Sequence, residues 1–240
     1  MKTITDKELA IQKIKEYPYV LEYLSEELQN NLDVVLEAVT KYGWALKFAS
    51  KKLRANKEVV LTAVKQNGWA LKFASKELKN NLEVVREALK ENPYALEYAS
   101  KELRANEGIV REAVIQHGYL LKFASKELKN NLEVVREAVT QNGYALEYAN
   151  PELRNNIKIV LTAVKQNGWA LKYASKELRA NIEVVREALK ENPCALKYAS
   201  KELRANEGIV RVAFRQNPGA LKYASKEIAL KLYKKLNKNI

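Results

Sequence analysis

The residue types that most often do covalent or metal chemistry are almost absent from this chain. Its 240 residues include one histidine, His117, and one cysteine, Cys194. Catalysis by nucleophile, acid and base needs such groups within reach of one another, and a metal needs several gathered together. Most of the sequence recurs every 25 residues. His117 stands where most other copies have Asn, and is expected to be a polar helix-end residue favoured by the C-terminal dipole. Cys194 stands where most other copies have Tyr or Trp; a small passive residue is expected there rather than a reactive thiol, and no internal disulfide is possible. The Asn-Gly pairs punctuate helices and form no glycine-rich phosphate loop. No catalytic residue, cofactor or metal site is therefore expected, and an enzyme is the remotest function class.

Binding chemistry is better supplied, in three series that repeat with the period. The first is a cationic row, Arg86, Arg111, Arg136, Arg186 and Arg211, interrupted by Leu36, Leu61 and Leu161. All but Arg211 precede a glutamate, so a solvated mixed-charge face is the alternative to a polyanion-binding surface. The second row, Arg54, Lys79, Arg104, Lys129, Arg154, Arg179 and Arg204, is nearly unbroken. Cations near a helix C-terminus are favoured by the dipole alone, so capping competes with anion binding there. The third series is aromatic: Tyr19, Trp44, Trp69, Tyr94, Tyr119, Tyr144 and Trp169, ending in Cys194 and Gly219. Tolerance of Cys and Gly argues against a rigid core slot, and partly exposed Trp and Tyr suit either inter-repeat packing or partner anchoring. A second aromatic set, Phe48, Phe73, Tyr98, Phe123, Tyr148, Tyr173, Tyr198 and Tyr223, keeps its character throughout and is expected in the core. Beside it Lys47, Lys72, Glu97, Lys122, Glu147, Lys172, Lys197 and Lys222 vary in sign, as surface positions do.

The elements that position these series follow from one unit, Asn56 to Asn80. Val59, Val60, Ala63 and Val64 lie on one stripe of an α-helix, helix A. Asn56 and its equivalents at 81, 106, 131, 156, 181 and 206 suit an N-cap, often with Glu in the first turn. After helix A the copies interchange Gly (43, 68, 118, 143, 168) with Pro (18, 93, 193, 218). Proline has no access to positive φ, so the glycine is not a left-handed cap; the position opens a second helix, B, with Asn67 and its equivalents before it. Asn150-Pro151 replaces the Ser-Lys found in most other copies and marks the start of a short third helix, C, that carries Leu78 and its equivalents, with one bent helix through B and C as the alternative.

One such unit buries too little to hold itself together, so neighbours must stack. The expected fold is an all-α solenoid of nine repeats, each one longer helix plus two short ones. Its handedness is not set by the sequence. One continuous domain over 1–240 is expected, with a capping half-repeat at 1–19, tandem repeats over 20–219 and a basic capping helix at 220–240. Residues 156–211 nearly reproduce 56–111, as a recent block duplication would leave them.

The net charge is +13, unevenly spread. Residues 1–44 hold five basic against eight acidic side chains, whereas 45–69 hold six against one and 220–240 hold six against one. Such a surplus suits polyanionic partners and also plain solubility. The apolar runs are too short for a membrane span and the N-terminus lacks the apolar stretch of a secretory signal, so a cytoplasmic monomer without membrane contact is expected.

The blocks Gln141-Asn-Gly143, Ala145-Leu-Glu-Tyr-Ala149 and Glu152-Leu-Arg154 recur in order at fixed spacing. The chain resembles, over residues 6 to 228, the repeat known as domain of unknown function 4116. That resemblance implies helical repeats and macromolecular binding, and brings no activity and no functional residues.

A non-catalytic scaffold that binds a protein or peptide is the first expectation, with the Trp/Tyr row as anchors and the Lys/Glu position setting preference. A basic solenoid contacting nucleic-acid phosphates is the second. Salt separates them, since phosphate binding weakens steeply as salt rises. A purely structural spacer is the third non-enzymatic class.

Overall fold

The computed structural model describes residues 4–236. Among them the chain is an all-α solenoid of tandem 25-residue repeats, and pairing of extended backbone is confined to an isolated bridge between Ile4 and Leu24. The described residues divide between Ala113 and Val114 into two compact units. Residues 1–3 of the expected N-terminal cap and 237–240 of the expected C-terminal cap lie outside the described residues.

Each repeat has the three expected elements, typified by Lys57–Gln66, Gly68–Phe73 and Lys76–Lys79. Nine helices of type A are present among the described residues, from Lys7–Glu16 to Glu207–Gln216. Asn56 caps helix A by accepting from the Val59 N–H at 3.1 Å, and Asp6, Asn31, Asn81, Asn131, Asn156, Asn181 and Asn206 do the same in their repeats. Val59, Val60, Ala63 and Val64 are buried to the last ångström, as are their counterparts Val134, Val135, Ala138 and Val139 in the second unit.

Segment B is a 3-10 helix rather than an α-helix. Among the described residues none has positive φ, so the glycines that open it are indeed not left-handed caps. Asn67 accepts from the Trp69 N–H at 3.0 Å and starts the segment. Ala74, extended at φ −61° and ψ 157°, ends it, so B and C are separate elements. Ser75 then caps the single turn of helix C by accepting from Leu78 N–H at 3.2 Å.

The glycines have a reason the sequence did not show. A Cβ on Gly68 would lie 2.3 Å from the carbonyl oxygen of Ala88, and one on Gly118 would lie 2.1 Å from that of Ala138. Segment B thus presses its backbone against helix A of the following repeat. Where glutamine ends that next helix, it also takes the glycine's N–H: Gln66 Oε1 accepts from Gly43 and Gln166 Oε1 from Gly143, each at 2.5 Å.

A second tie between repeats is pure backbone. In the first unit Ser50, Ser75 and Ser100 donate their N–H to the carbonyls of Gln29, Arg54 and Lys79 at 2.9 Å. In the second, Asn150, Ser175, Ser200 and Ser225 donate to Lys129, Arg154, Arg179 and Arg204 at 2.8 to 2.9 Å. Ser25 donates in the same way to the carbonyl of Ile4, ahead of the first helix, at 3.0 Å. At the other end helix C continues as Lys226–Leu236 and buries Ile228 and Leu232.

Candidate functional site

The aromatic and basic series meet on segments B and helices C. A 3-10 helix has three residues per turn, so i and i+3 eclipse one another. Trp69 and Lys72 therefore share one edge of their segment, while Gly68 and Leu71 face inward and are buried. Phe73 falls at the border of that inner face, and the expectation that its series belongs to the core is corrected: Phe48, Phe73, Tyr98, Phe123, Tyr148, Tyr173, Tyr198 and Tyr223 are all half-buried.

The two aromatic series interlock from one repeat to the next. In the first unit Trp44 meets Phe73 edge-on at 5.3 Å between centroids and Trp69 meets Tyr98 at 5.8 Å, with Tyr94 stacked on Trp69 at 6.4 Å. In the second, Tyr119 meets Tyr148 at 5.0 Å, Tyr144 meets Tyr173 at 6.1 Å and Trp169 meets Tyr198 at 5.8 Å, all edge-on. Trp44, Trp69, Tyr144 and Trp169 are half-buried and Tyr94 and Tyr119 exposed, so each ring both packs and presents area to solvent. Edge-to-face pairs of this kind exceed the worth of their buried area alone.

Cations cover these rings. Lys47 lies 5.1 Å from the Phe48 centroid, Lys72 5.8 Å from Tyr98, Lys122 5.2 Å from Phe123 and Lys172 5.0 Å from Tyr173, within cation–π range. Glu97 and Glu147 hold the same position with the opposite sign. Burial, then a hydrogen bond with Glu147, pushes the Tyr173 phenol up to about 12. Burial pushes Tyr148 up as well, helped by its hydrogen bond with Tyr119. Burial raises Tyr98 too, and the Glu97 carboxylate adds to it.

The two cationic rows separate clearly. On helix A, Arg86 pairs with Glu112 of the next repeat at 2.9 Å, Arg211 with Glu207 at 2.5 Å, Arg111 with Glu107 at 3.6 Å and Arg136 with Glu133. Arg186 keeps company with Glu187, which is taken by Lys190 at 2.5 Å. This is a mixed-charge face, and such exposed pairs add little to stability.

On helix C the ion pairs among the described residues involve none of Arg54, Arg104, Arg154, Arg179 and Arg204. Each also holds its Nε out of water with no hydrogen-bond partner. The neighbouring acids are engaged elsewhere: Glu102, Glu127, Glu177 and Glu202 turn to the backbone and to the cap serine of their own turn, and their carboxyls sit below the usual range for that reason. Lys and Gln at the same position show where the side chain leads. Lys129 Nζ donates to the Lys122 carbonyl at 2.7 Å, and Gln29 Nε2 donates to the carbonyls of Leu21, Glu22 and Leu24 at 3.1 to 3.4 Å. The end being capped is that of segment B, seven residues back, and not the end of helix C. Lys79 is pushed below its usual range by burial, then by Arg54 and Lys72, as expected of cations crowded without a counter-charge.

His117 takes the N-cap place of its segment B without the side-chain cap that Asn gives. Cys194 is half-exposed and its N–H donates to Asn192 Oδ1 at 2.9 Å. No group of three or more His, Cys, Asp or Glu able to hold a metal occurs among the described residues, and none of their helices is long and apolar enough to cross a membrane.

No curated protein and no solved structure was found to match the chain. The family model for a domain of unknown function, DUF4116, matches residues 6–54, 56–104, 106–154, 143–179 and 181–229. Each of the longer matches covers two of the 25-residue units and opens at the cap residue of a helix A, Asp6, Asn56, Asn106 or Asn181. Taken together the matches span nearly the whole chain, which therefore belongs to the DUF4116 family.

Proposed function

We propose that the protein is a non-catalytic repeat scaffold that binds an extended segment of a partner protein along segments B and helices C. One observation carries this: in each unit successive half-exposed rings are locked edge to face across repeats, with lysines laid over them, on backbone tied repeat to repeat. Trp69, Tyr144 and Trp169 offer amphipathic contact area that is already ordered, so little side-chain entropy is lost on binding.

A random-peptide display selection against the full chain tests it. Enriched peptides should bind in the micromolar range or better, and Tyr144→Ala with Trp169→Ala should abolish the enrichment. Selection that yields no peptide, or peptides indifferent to both substitutions, would refute the proposal.

The unpaired arginines of helix C favour a second function, binding of a nucleic-acid backbone. Affinity that collapses between low and physiological salt is its signature.

A further inference from the structure

We infer that the groove formed by consecutive helices C in the second unit takes acidic side chains of an extended peptide, spaced three residues apart. This rests on the function proposed above and names the partner's chemistry. The groove, of about 520 Å³, is lined by Lys176, Arg179, Lys197, Tyr198, Lys201 and Arg204. Glu202 is the acid among its lining residues; its carboxylate is bonded to the backbone and to Ser200, with a smaller attraction to Lys201 and Arg204 and no ion pair to either.

Three features select carboxylates held in a line. Neither Arg179 nor Arg204 is neutralised by an ion pair, and both keep Nε sheltered from water, where a charge-assisted bond is strongest. Their carbonyls are fixed by Ser200 and Ser225 N–H, so the backbone that carries the two guanidinium groups is held in register from one repeat to the next. Packed helices lie about 8 to 10 Å apart. An extended chain advances about 3.3 Å per residue, and a polyproline II chain about 9.3 Å per three-residue turn. Side chains of a β-strand alternate faces, so it is the polyproline II form that brings every third residue to the next arginine on the same side.

By contrast, the groove over helix A at Asn81 to Lys90 mixes Glu83 and Glu87 with Arg86 and Lys90. It has no net preference for an anion.

The test uses the full chain and fluorescein-labelled synthetic peptides in anisotropy titrations at physiological salt. One peptide has Glu at every third position, and a second has the same composition with the glutamates clustered. A thymidine oligonucleotide of equal length is the third probe. The spaced peptide should bind at least about tenfold tighter than the clustered one, a difference of one decade in Kd. Arg179→Gln with Arg204→Gln should remove that preference. The fold tolerates glutamine here, since Gln29 occupies the equivalent position natively and bonds the segment B carbonyls; unchanged circular dichroism checks it.

Equal binding of the two peptides, or a preference that survives the double substitution, overturns the inference. So does an oligonucleotide that outcompetes the spaced peptide with a steep salt dependence, which would assign the groove to phosphates. If display-selected peptides still bind and depend on Trp169 while the spaced peptide shows no preference, this inference falls and the proposed function stands. If no peptide of either origin binds, both fall.

Discussion

The N–H of Ser200 donates to the carbonyl oxygen of Arg179 at 2.9 Å, joining one helix C to the next across a full repeat. Ser200 sits at φ −58° and follows Ala199 at ψ 157°, angles proline accepts, so this bond is open to a clean test. Ser200→Ala removes the cap to Leu203 N–H and the hydroxyl's bond to Glu202 while keeping the backbone donor, and should cost about 1 kcal/mol. Ser200→Pro removes the inter-repeat donor as well, leaving the Arg179 carbonyl unpaired, and should cost about 1 to 2 kcal/mol beyond the alanine. Urea unfolding of the three proteins measures the difference.

The glycines divide into two kinds. Gly118→Ala would drive a Cβ to 2.1 Å from the Ala138 carbonyl, and helix A of the next repeat must move to admit it. A loss of about 2 to 3 kcal/mol is expected. Gly108 lies inside a helix, where an added Cβ meets only Asn106 Oδ1 at 3.4 Å. Gly108→Ala should be neutral or stabilising by up to about 1 kcal/mol. Thermal melts distinguish the two outcomes.

Tyr173 should titrate near 12, above the ordinary phenol. Because its folded value is raised, the stability it contributes is present below pH 10 and is lost as pH climbs from 10 through 12, where the unfolded chain has already released the proton. Glu147→Gln should lower the value only part of the way, since burial is the larger cause. Absorbance at the phenolate band, compared between the two proteins and a Tyr173→Phe control, reads this directly.

Arg86→Ala should change stability by no more than about 0.5 kcal/mol and leave peptide affinity untouched, although it breaks the pair with Glu112. Arg204→Gln should be equally silent in stability but not in binding. Parallel melts and anisotropy titrations make the comparison. The sequence alone ranks these two arginines together; their surroundings separate them.

Most of the architecture could be read from the period. Asn56 announced its cap, the stripe Val59, Val60, Ala63 and Val64 announced a buried face, and the exchange of Gly68 for Pro93 excluded a left-handed residue. What escaped was tertiary. Nothing in the string Gly68-Trp-Ala-Leu-Lys-Phe73 tells a 3-10 segment from an α-helical one, and nothing in it shows that Phe73 lies at the rim and not in the core. The demand for glycine comes from Ala88, in the following repeat and 20 residues on. Likewise the freedom of Arg179 depends on where Glu177 points, and that is decided by the cap of its own helix. One clue was present: Gln29, uncharged at the head of the cationic row, signals a position that contacts backbone carbonyls as well as solvent.

Binding along segments B and helices C fixes which lysines a bound peptide covers. Amine-reactive labelling followed by mass spectrometry, with and without a display-selected peptide, should show protection at Lys172, Lys197 and Lys201 on segments B and helices C, while Lys165 and Lys190 on helix A react as before. Protection of Lys165 and Lys190 instead, or of all five alike, would place the partner off the aromatic face and contradict it.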